Sequence, residues 1–301
     1  METNERLVWF ALNATSGLGP VKLQQIANVL DSQRESVVSL VGLDAAELIE
    51  RVKPMKLSDS LAHAIQSQLE GPLRLPEVAD GVRLAIFGDE EFPNERFLQS
   101  RVPCAPVLWL GGATPLASFR GPTLGVSGSR NAPEEILEVV AALARSASRQ
   151  GWLVVSGLAV GVDSAAHQGA IYGGTGTVGV MASGILSQSN SWRPEDPESV
   201  CFVSQFAPSD PWSGPRAMQR NATIATFSDR VLVAASGVSG GTWNMAELCL
   251  KNEVPLFVLD LPEDVAEGNQ KLIGRGAIPV DIENPESCLE SIEEQGTLKL
   301  D

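Results

Sequence analysis

Apolar positions along the first 75 residues recur at helical spacing. The run LVWFALNAT leads into the turn Ser16-Gly17-Leu18-Gly19-Pro20, and Val21, Leu23, Ile26, Ala27 and Leu30 then fall on one face of a second helix. Pro20 suits the first turn of that helix, and Asp31-Ser32 marks its end. Further helices are expected near Ser36–Leu40 and Asp44–Val52, and over LSDSLAHAIQSQL behind a cap at Ser58 or Asp59. The Gly-Leu-Gly-Pro turn looks like that of a helix-hairpin-helix element, which can present backbone N–H groups to a phosphate. Six residues alone favour an ordinary turn in a small helical domain. Residues 76–120 read as a connector with short strands at Val82–Phe87 and Val107–Leu110 and breaks at Gly111-Gly112 and Arg120-Gly121-Pro122.

From Thr123 the pattern changes. Short apolar runs (Leu124–Ser127, Trp152–Val155, Gly176–Ala182, Val200–Ser204, Arg230–Ala235, Val254–Asp260) alternate with helical stretches. The latter are Pro133 to Gln150, Asp163 through Tyr172, Pro215–Phe227 and Thr242–Leu250. Strands alternating with helices imply right-handed crossovers and a mostly parallel sheet, an α/β architecture. Ligands of such sheets sit at the C-terminal strand ends. The expected units are therefore a helical domain over 1–75, a connector over 76–120, an α/β domain over 121–281 taken together with the connector, and an acidic tail over 282–301.

Composition narrows the function classes. The 301 residues carry a net charge of −15, with mean hydropathy near zero, at +0.04. Residues 281–301 contribute −6 of that charge, so the remainder is still acidic at −9. Broad polyanion binding is disfavoured, because affinity for a phosphate backbone comes from Lys and Arg. Any anion site must be local. No apolar run spans a bilayer, and the acidic N-terminus is not that of a secretory leader. Four scattered cysteines without a C-x-x-C pair, and only two histidines, suggest a reducing cytoplasm and call for neither a metal nor another cofactor.

Four stretches carry candidate chemistry. Ser127-Gly128-Ser129-Arg130 ends a strand ahead of a helix, where small residues let backbone approach an anion and Arg130 adds a forked donor. Neither the Walker spacing nor the three-glycine dinucleotide spacing is present. Ser156-Gly157 opens a second loop in which Asp163 can cap the next helix, with His167 one turn further on. An acid–base pair is conceivable there, but a cap with a histidine bonded to it or to the neighbouring loop is the more ordinary reading. Arg216 and Arg220-Asn221 place two arginines on one helix face, either around a phosphate or paired with acids such as Asp229. Ser239-Gly240-Gly241-Thr242 repeats the logic of the first loop. No serine or cysteine nucleophile with its own base is evident.

These stretches, GVSGSR, VVSGLAVGVDSAAHQGA, QRNATIATFSDRVLVAASGVSGGT and LIGRGA, occur in the order seen in the DNA-processing protein DprA (Smf) family. The sequence resembles that family from about residue 7 to 281. The resemblance implies a Rossmann-like domain behind a small helical (helix-hairpin-helix or SAM-like) domain. It also implies a non-enzymatic, dimeric binder of single-stranded DNA that protects incoming strands and helps load a RecA-type recombinase in transformation and recombination. It places the phosphate site at Ser127, Gly128, Ser129, Arg130, Ser156, Gly157, Asp163, His167, Arg220, Asn221, Ser239 and Gly240; the residue reading adds Arg216, Gly241 and Thr242. Departures from the family pattern are Ala222 for a second arginine, Ala234 for a glutamate, and a missing Phe-Pro ahead of Arg220. Two alternatives stay open. One is a nucleotide-binding or N-glycosidase-like enzyme of the wider superfamily, although Glu247 lies five rather than three positions after Thr242. The other is a diverged regulatory or phage-defence interaction protein. Trp192 and Trp212 are candidates for base stacking, with packing as the default for each.

Overall fold

The computed structural model describes residues 3–112, 120–187 and 192–290. Helices α1 (Thr3–Ala14), α2 (Pro20–Gln33), α3 (Ala45–Arg51) and α4 (Asp59–Glu70) open the chain, and a 3-10 turn at Val37–Leu40 stands where a further helix was expected. Pro20 occupies the first turn of α2, and that helix ends on Arg34 in the left-handed region, slightly beyond Asp31-Ser32. Asp44 and Glu47 form a reciprocal capping box on α3.

Strand β1 (Arg83–Ile86), helix α5 (Asn94–Gln99) and strand β2 (Val107–Gly111) follow. The α/β unit then runs β3 (Thr123–Ser127), α6 (Glu134–Arg149), β4 (Leu153–Ser156), α7 (Val162–Gly173), β5 (Thr177–Val180) and β6 (Val200–Ser204). It continues through α8 (Gly214–Thr226), β7 (Arg230–Val233), α9 (Gly241–Lys251), β8 (Leu256–Leu259), α10 (Glu263–Gly274) and β9 (Ile278–Val280).

Among the described residues the strands form one sheet in the order β1-β2-β6-β5-β4-β3-β7-β8-β9. The stretch from β6 to β9 is parallel throughout, whereas β2 pairs antiparallel with both β1 and β6. The connector is thus the edge of the same sheet. Its register against β6, with Leu110 opposite Val203, depends on pairing across about ninety residues, which periodicity does not report.

The sheet is covered on both faces, so its strands read as unbroken apolar runs. Period-two alternation sorts them. Val154, Leu124, Val126 and Leu232 face α6 and α7. Leu153, Val155, Val178 and Val231 face the other way, in a core that continues into the N-terminal helices. The α6 stripe of Ile136, Val140, Leu143 and Ala147 meets small α7 residues, Ala166 and Ala170, which permits close helix contact. A ring cluster of Trp9, Phe87, Phe92 and Phe97 joins the helical region to the connector; Trp9 meets Phe87 edge-on, with centroids 5.3 Å apart. Among the described residues no helix is long and apolar enough to cross a membrane.

Candidate functional site

Strands β4, β3 and β7 are adjacent and parallel, so the loops that leave their C-terminal ends meet. From β3 the chain winds outward through β4, β5 and β6 in one direction and through β7, β8 and β9 in the other. The site lies at this switch in strand order, where loops diverge and leave a crevice. Backbone bonds lace the loops together. Ser129 N–H donates to the Ala235 carbonyl at 2.9 Å, and Val162 N–H donates to the Ser129 carbonyl at 3.2 Å. Gly161 sits at φ +84°, and a Cβ there would meet the Ser129 carbonyl oxygen at 2.6 Å, so the second loop can pass the first only at a glycine.

A buried asparagine that the sequence reading missed anchors the last loop. Asn269 on α10 accepts from Ser236 N–H at 2.9 Å and donates to the carbonyls of Ala234 and Leu259. Its signal in the sequence is a polar residue at a buried helix position, three residues before the core residue Leu272.

Arg220 projects from α8 beneath the second loop and donates to the carbonyls of Gly157 and Val180, at 2.5 and 2.7 Å. Gly157 makes room for it, since a Cβ there would lie 1.9 Å from the arginine Nη1. Burial lowers the Arg220 pKa. The nearby Asp163 charge opposes that shift, and the Arg130 charge adds to it. Asp163 is raised above the usual carboxylate range by burial, against the pull of Arg220 and of the Ala159 N–H, which it accepts at 3.4 Å.

Asp163 does not cap α7, as had been expected. The cap position belongs to Gly161, and the carboxylate turns back to the loop. Nor do Asp163 and His167 form an acid–base pair. The Thr177 hydroxyl donates to the Val154 carbonyl, so His167 Nδ1–H donates to Thr177 Oγ1 at 2.9 Å, and Nε2 accepts the Leu158 N–H at 3.4 Å. The ring is neutral, its pKa lowered to about 3 by burial and then by Arg220. It steadies Leu158, whose φ of +58° is uncommon for a residue with a side chain. Ser156 Oγ is likewise spent on the Val126 carbonyl. Ser156, Gly157, Asp163 and His167 are all buried and form the floor behind the site.

In front of that floor lies a cleft of about 370 Å³. Ser127, Ser129, Arg130, Arg220, Asn221, Ser239, Gly241 and Thr242 line it, together with Ala159, Trp212, Met218, Ala235 and Gly237. Gly128 packs behind on Val162, and Gly240 provides the turn into α9. Asn221 draws α9 toward α8 by donating to the Gly241 carbonyl at 3.0 Å. The N-cap of α9 is Gly240, which has no side chain to bond the first-turn N–H groups, and Gly241 and Thr242 of that turn line the cleft.

Helix α6, which follows the first loop, starts at Glu134 with Glu134 and Glu135 in its first turn, and none of its residues is among those lining the cleft. One expectation fails on geometry. Arg216 does not line the cleft. It pairs with an acid instead, Asp210 at 3.0 Å, and donates to the Pro211 carbonyl at 2.7 Å, while Asp229, named as an example of such an acid, binds Arg96. Trp192 stacks on His167 at 5.0 Å, whereas Trp212 stands 45% exposed on the cleft wall. Glu247 is held by Arg275 at 2.8 Å, away from the cleft lining. Among the described residues no group of three His, Cys, Asp or Glu could hold a metal.

The model of the DNA recombination-mediator protein A family matches residues 83–293. Among curated proteins, the chain is 28% identical over 206 residues to the DNA processing protein DprA of Bacillus subtilis, covering 65% of this chain and 67% of that one. It is 22% identical over 303 residues to Protein Smf of Synechocystis sp., covering 94% of this chain and 72% of that one. The fold is similar to that of DprA from Streptococcus pneumoniae, with a TM-score of 0.68 at 20% identity over 96% of this chain and 97% of that one. It is also similar to DprA from Helicobacter pylori, a structure described for its single-stranded DNA binding mode, with a TM-score of 0.56 at 20% identity over 67% and 93%. The match spans the whole sheet and every loop of the cleft, and on it the chain belongs to the DNA recombination-mediator protein A family.

Proposed function

We propose that this chain is a DprA-like binder of single-stranded DNA, with strand phosphates lodged in the cleft at the C-terminal ends of β4, β3 and β7. The observation that carries this reading is one of charge. In a protein of net charge −15, the described residues lining the cleft include two arginines, Arg130 and Arg220, and no carboxylate. Open N–H groups at the start of α9 and the hydroxyls of Ser127, Ser129, Ser239 and Thr242 complete a cradle suited to phosphate oxygens. In this reading the cleft holds a strand and does no covalent chemistry. Family membership supports a role in DNA uptake and recombination, in the cytoplasm, as a homodimer that protects the strand and passes it to a RecA-type recombinase.

The test is fluorescence anisotropy with labelled oligo-dT at low and moderate salt, with duplex and mononucleotide competitors. Binding is expected to weaken as salt rises and to resist duplex competition. Thr242→Glu, which puts a carboxylate at the open end of α9, is expected to remove most of it. Failure to bind any single strand at low salt would overturn the reading, and competition by mononucleotide alone would favour a small nucleotide ligand. Release of free base from nucleoside monophosphates would make the protein an enzyme.

A further inference from the structure

A cavity of about 140 Å³ lies against α7 and shares no described lining residue with the cleft. Its walls include two aromatic rings, Tyr172 near the C-terminal end of α7 and Trp192 in the segment that leads to β6. Each ring is held from one side. Trp192 stacks on the buried His167, with centroids 5.0 Å apart and planes 11° from parallel, and its backbone N–H donates to the Leu158 carbonyl at 3.3 Å. Arg145 of α6 lies over Tyr172, its guanidinium carbon 5.6 Å from the ring centroid. Tyr172 is the sole tyrosine of the chain and stands 70% exposed. Ile171 and Pro194 add apolar wall, and Glu195 and Asp196 bring two carboxylates. Asp196 accepts the Glu198 N–H at 3.0 Å and so is fixed as the cap of the turn at Pro197–Ser199. Glu195 forms no ion pair among the described residues. Arg193 also lines the cavity and is already engaged.

We propose that this cavity binds a quaternary ammonium group, the chemistry shared by choline-type metabolites and by trimethylated lysine side chains. The negative face of an aromatic ring attracts a cation within about 6 Å of its centroid, and Arg145 already uses Tyr172 in this way. The carboxylates beside the rings add attraction for a cation and disfavour an anion. A primary ammonium is strongly hydrated and needs hydrogen bonds in place of its water. Methyl groups spread the charge, let it leave water more easily and fill the wall formed by Ile171 and Pro194. Size agrees as well. A cavity of about 150 Å³ accommodates a benzene ring, which is close in bulk to trimethylammonium with its first methylene. A whole nucleotide is too large. The site therefore goes beyond the single-strand reading and does not depend on it.

The experiment is isothermal titration calorimetry of the full chain at low salt. The probes are choline, its neutral isostere neohexyl alcohol, and a short peptide carrying either trimethyllysine or unmodified lysine. Choline or the trimethyllysine peptide should bind at millimolar concentration, about tenfold more tightly than its uncharged or unmethylated counterpart. Tighter binding of the peptide assigns the source to a modified partner protein, and tighter binding of choline assigns it to a free metabolite; both uphold the site. Tyr172→Ala should lose most of the affinity, Tyr172→Phe should keep it, and Glu195→Gln should weaken it several-fold. Both positions are exposed, so these variants should unfold with the wild-type midpoint. Oligo-dT affinity should be unchanged in Tyr172→Ala, and its loss there would make Tyr172 part of the strand site and overturn the proposal. It is also overturned if neither methylated probe binds saturably, if both bind no better than their counterparts, or if their affinity survives in Tyr172→Ala.

Discussion

The two ends of the central strands handle charge in opposite ways. At the N-terminal ends Arg96 and Arg230 are both tied down. Arg96 bonds Asp229 Oδ1 and Thr123 Oγ1, both at 3.0 Å, and the Gly121 carbonyl, and the second oxygen of Asp229 accepts the Thr123 N–H at 2.7 Å. Arg230 lies over the rings of Trp152 and Phe257 and donates to the carbonyls of Cys288 and Glu290. At the C-terminal ends, Arg220 is spent on the floor beside one buried carboxylate, and Arg130 makes no ion pair among the described residues and lies over an indole face. The same residue type is a structural tie at one end and a spare charge at the other. Net charge is therefore a poor guide to a local site. Salt screens exposed charges beyond about 8 Å, so the acids of the far surface scarcely reach the cleft.

The sharpest way to break this comparison is at the floor. Gly157→Ala puts a methyl group where the Arg220 guanidinium lies, so the arginine must leave and two buried carbonyls lose their donor. A loss of about 3 kcal/mol in urea unfolding is expected, from overpacking and unpaired carbonyls together, with a loss of single-strand binding. Unchanged stability would mean that Arg220 is not a floor residue.

Next comes pH. His167 titrates near 3 in the folded protein and near 6.5 once unfolded. The unfolded chain therefore takes up the proton first as pH falls. The stability held by the neutral ring is whole above about pH 6.5 and is lost below it, by up to about 1.4 kcal/mol per pH unit until the folded value is reached. Asp163, raised by burial, works in the opposite direction under acid. The clean measurement is thus the difference between wild type and His167→Gln in stability from pH 7 to pH 5, where the variant should show the flatter profile. Parallel profiles would remove His167 as the acid-sensitive group.

Arg130 gives a smaller effect, in binding alone. Arg130→Ala should weaken oligo-dT binding several-fold and lower the slope of log affinity against log salt by about one, the mark of a single phosphate contact. A change in unfolding midpoint larger than the change in binding would place Arg130 with the arginines of the opposite end.

Much of this was legible in the sequence, for local reasons. The β3, β4 and β7 runs are short, apolar and ended by glycine and serine, and parallel pairing places their exits side by side. The elements that escaped do so for visible reasons. The periodicity of α10 is broken at Ala266, whose φ of −151° and ψ of 84° are not helical, and β9 is a three-residue edge strand with Pro279 at its centre. Arg216 and Arg220 could not be told apart by spacing, because four positions fix a shared helix face and say nothing of depth. Asp210, six residues ahead of Arg216, was the available sign that the first would be tied down. His167 and Asp163 show the same limit, since their spacing allowed a pair and burial assigned each a separate backbone partner.

The smallest expected effect tests the comparison from its other side. Asp229→Asn removes a carboxylate at the N-terminal strand ends and moves the net charge from −15 to −14. Asp229 is half-exposed, and its bond to Arg96 is one of three that hold that guanidinium, so the stability cost should be near 1 kcal/mol. If the cleft is electrostatically local, oligo-dT affinity should change by less than twofold at moderate salt, although the protein as a whole has become less negative. A rise of tenfold would mean that the global field governs binding and that the carboxylate-free lining is incidental. Thr242→Glu changes charge by the same single unit at the other end and should nearly abolish binding, so the ratio between the two variants measures how local the site is.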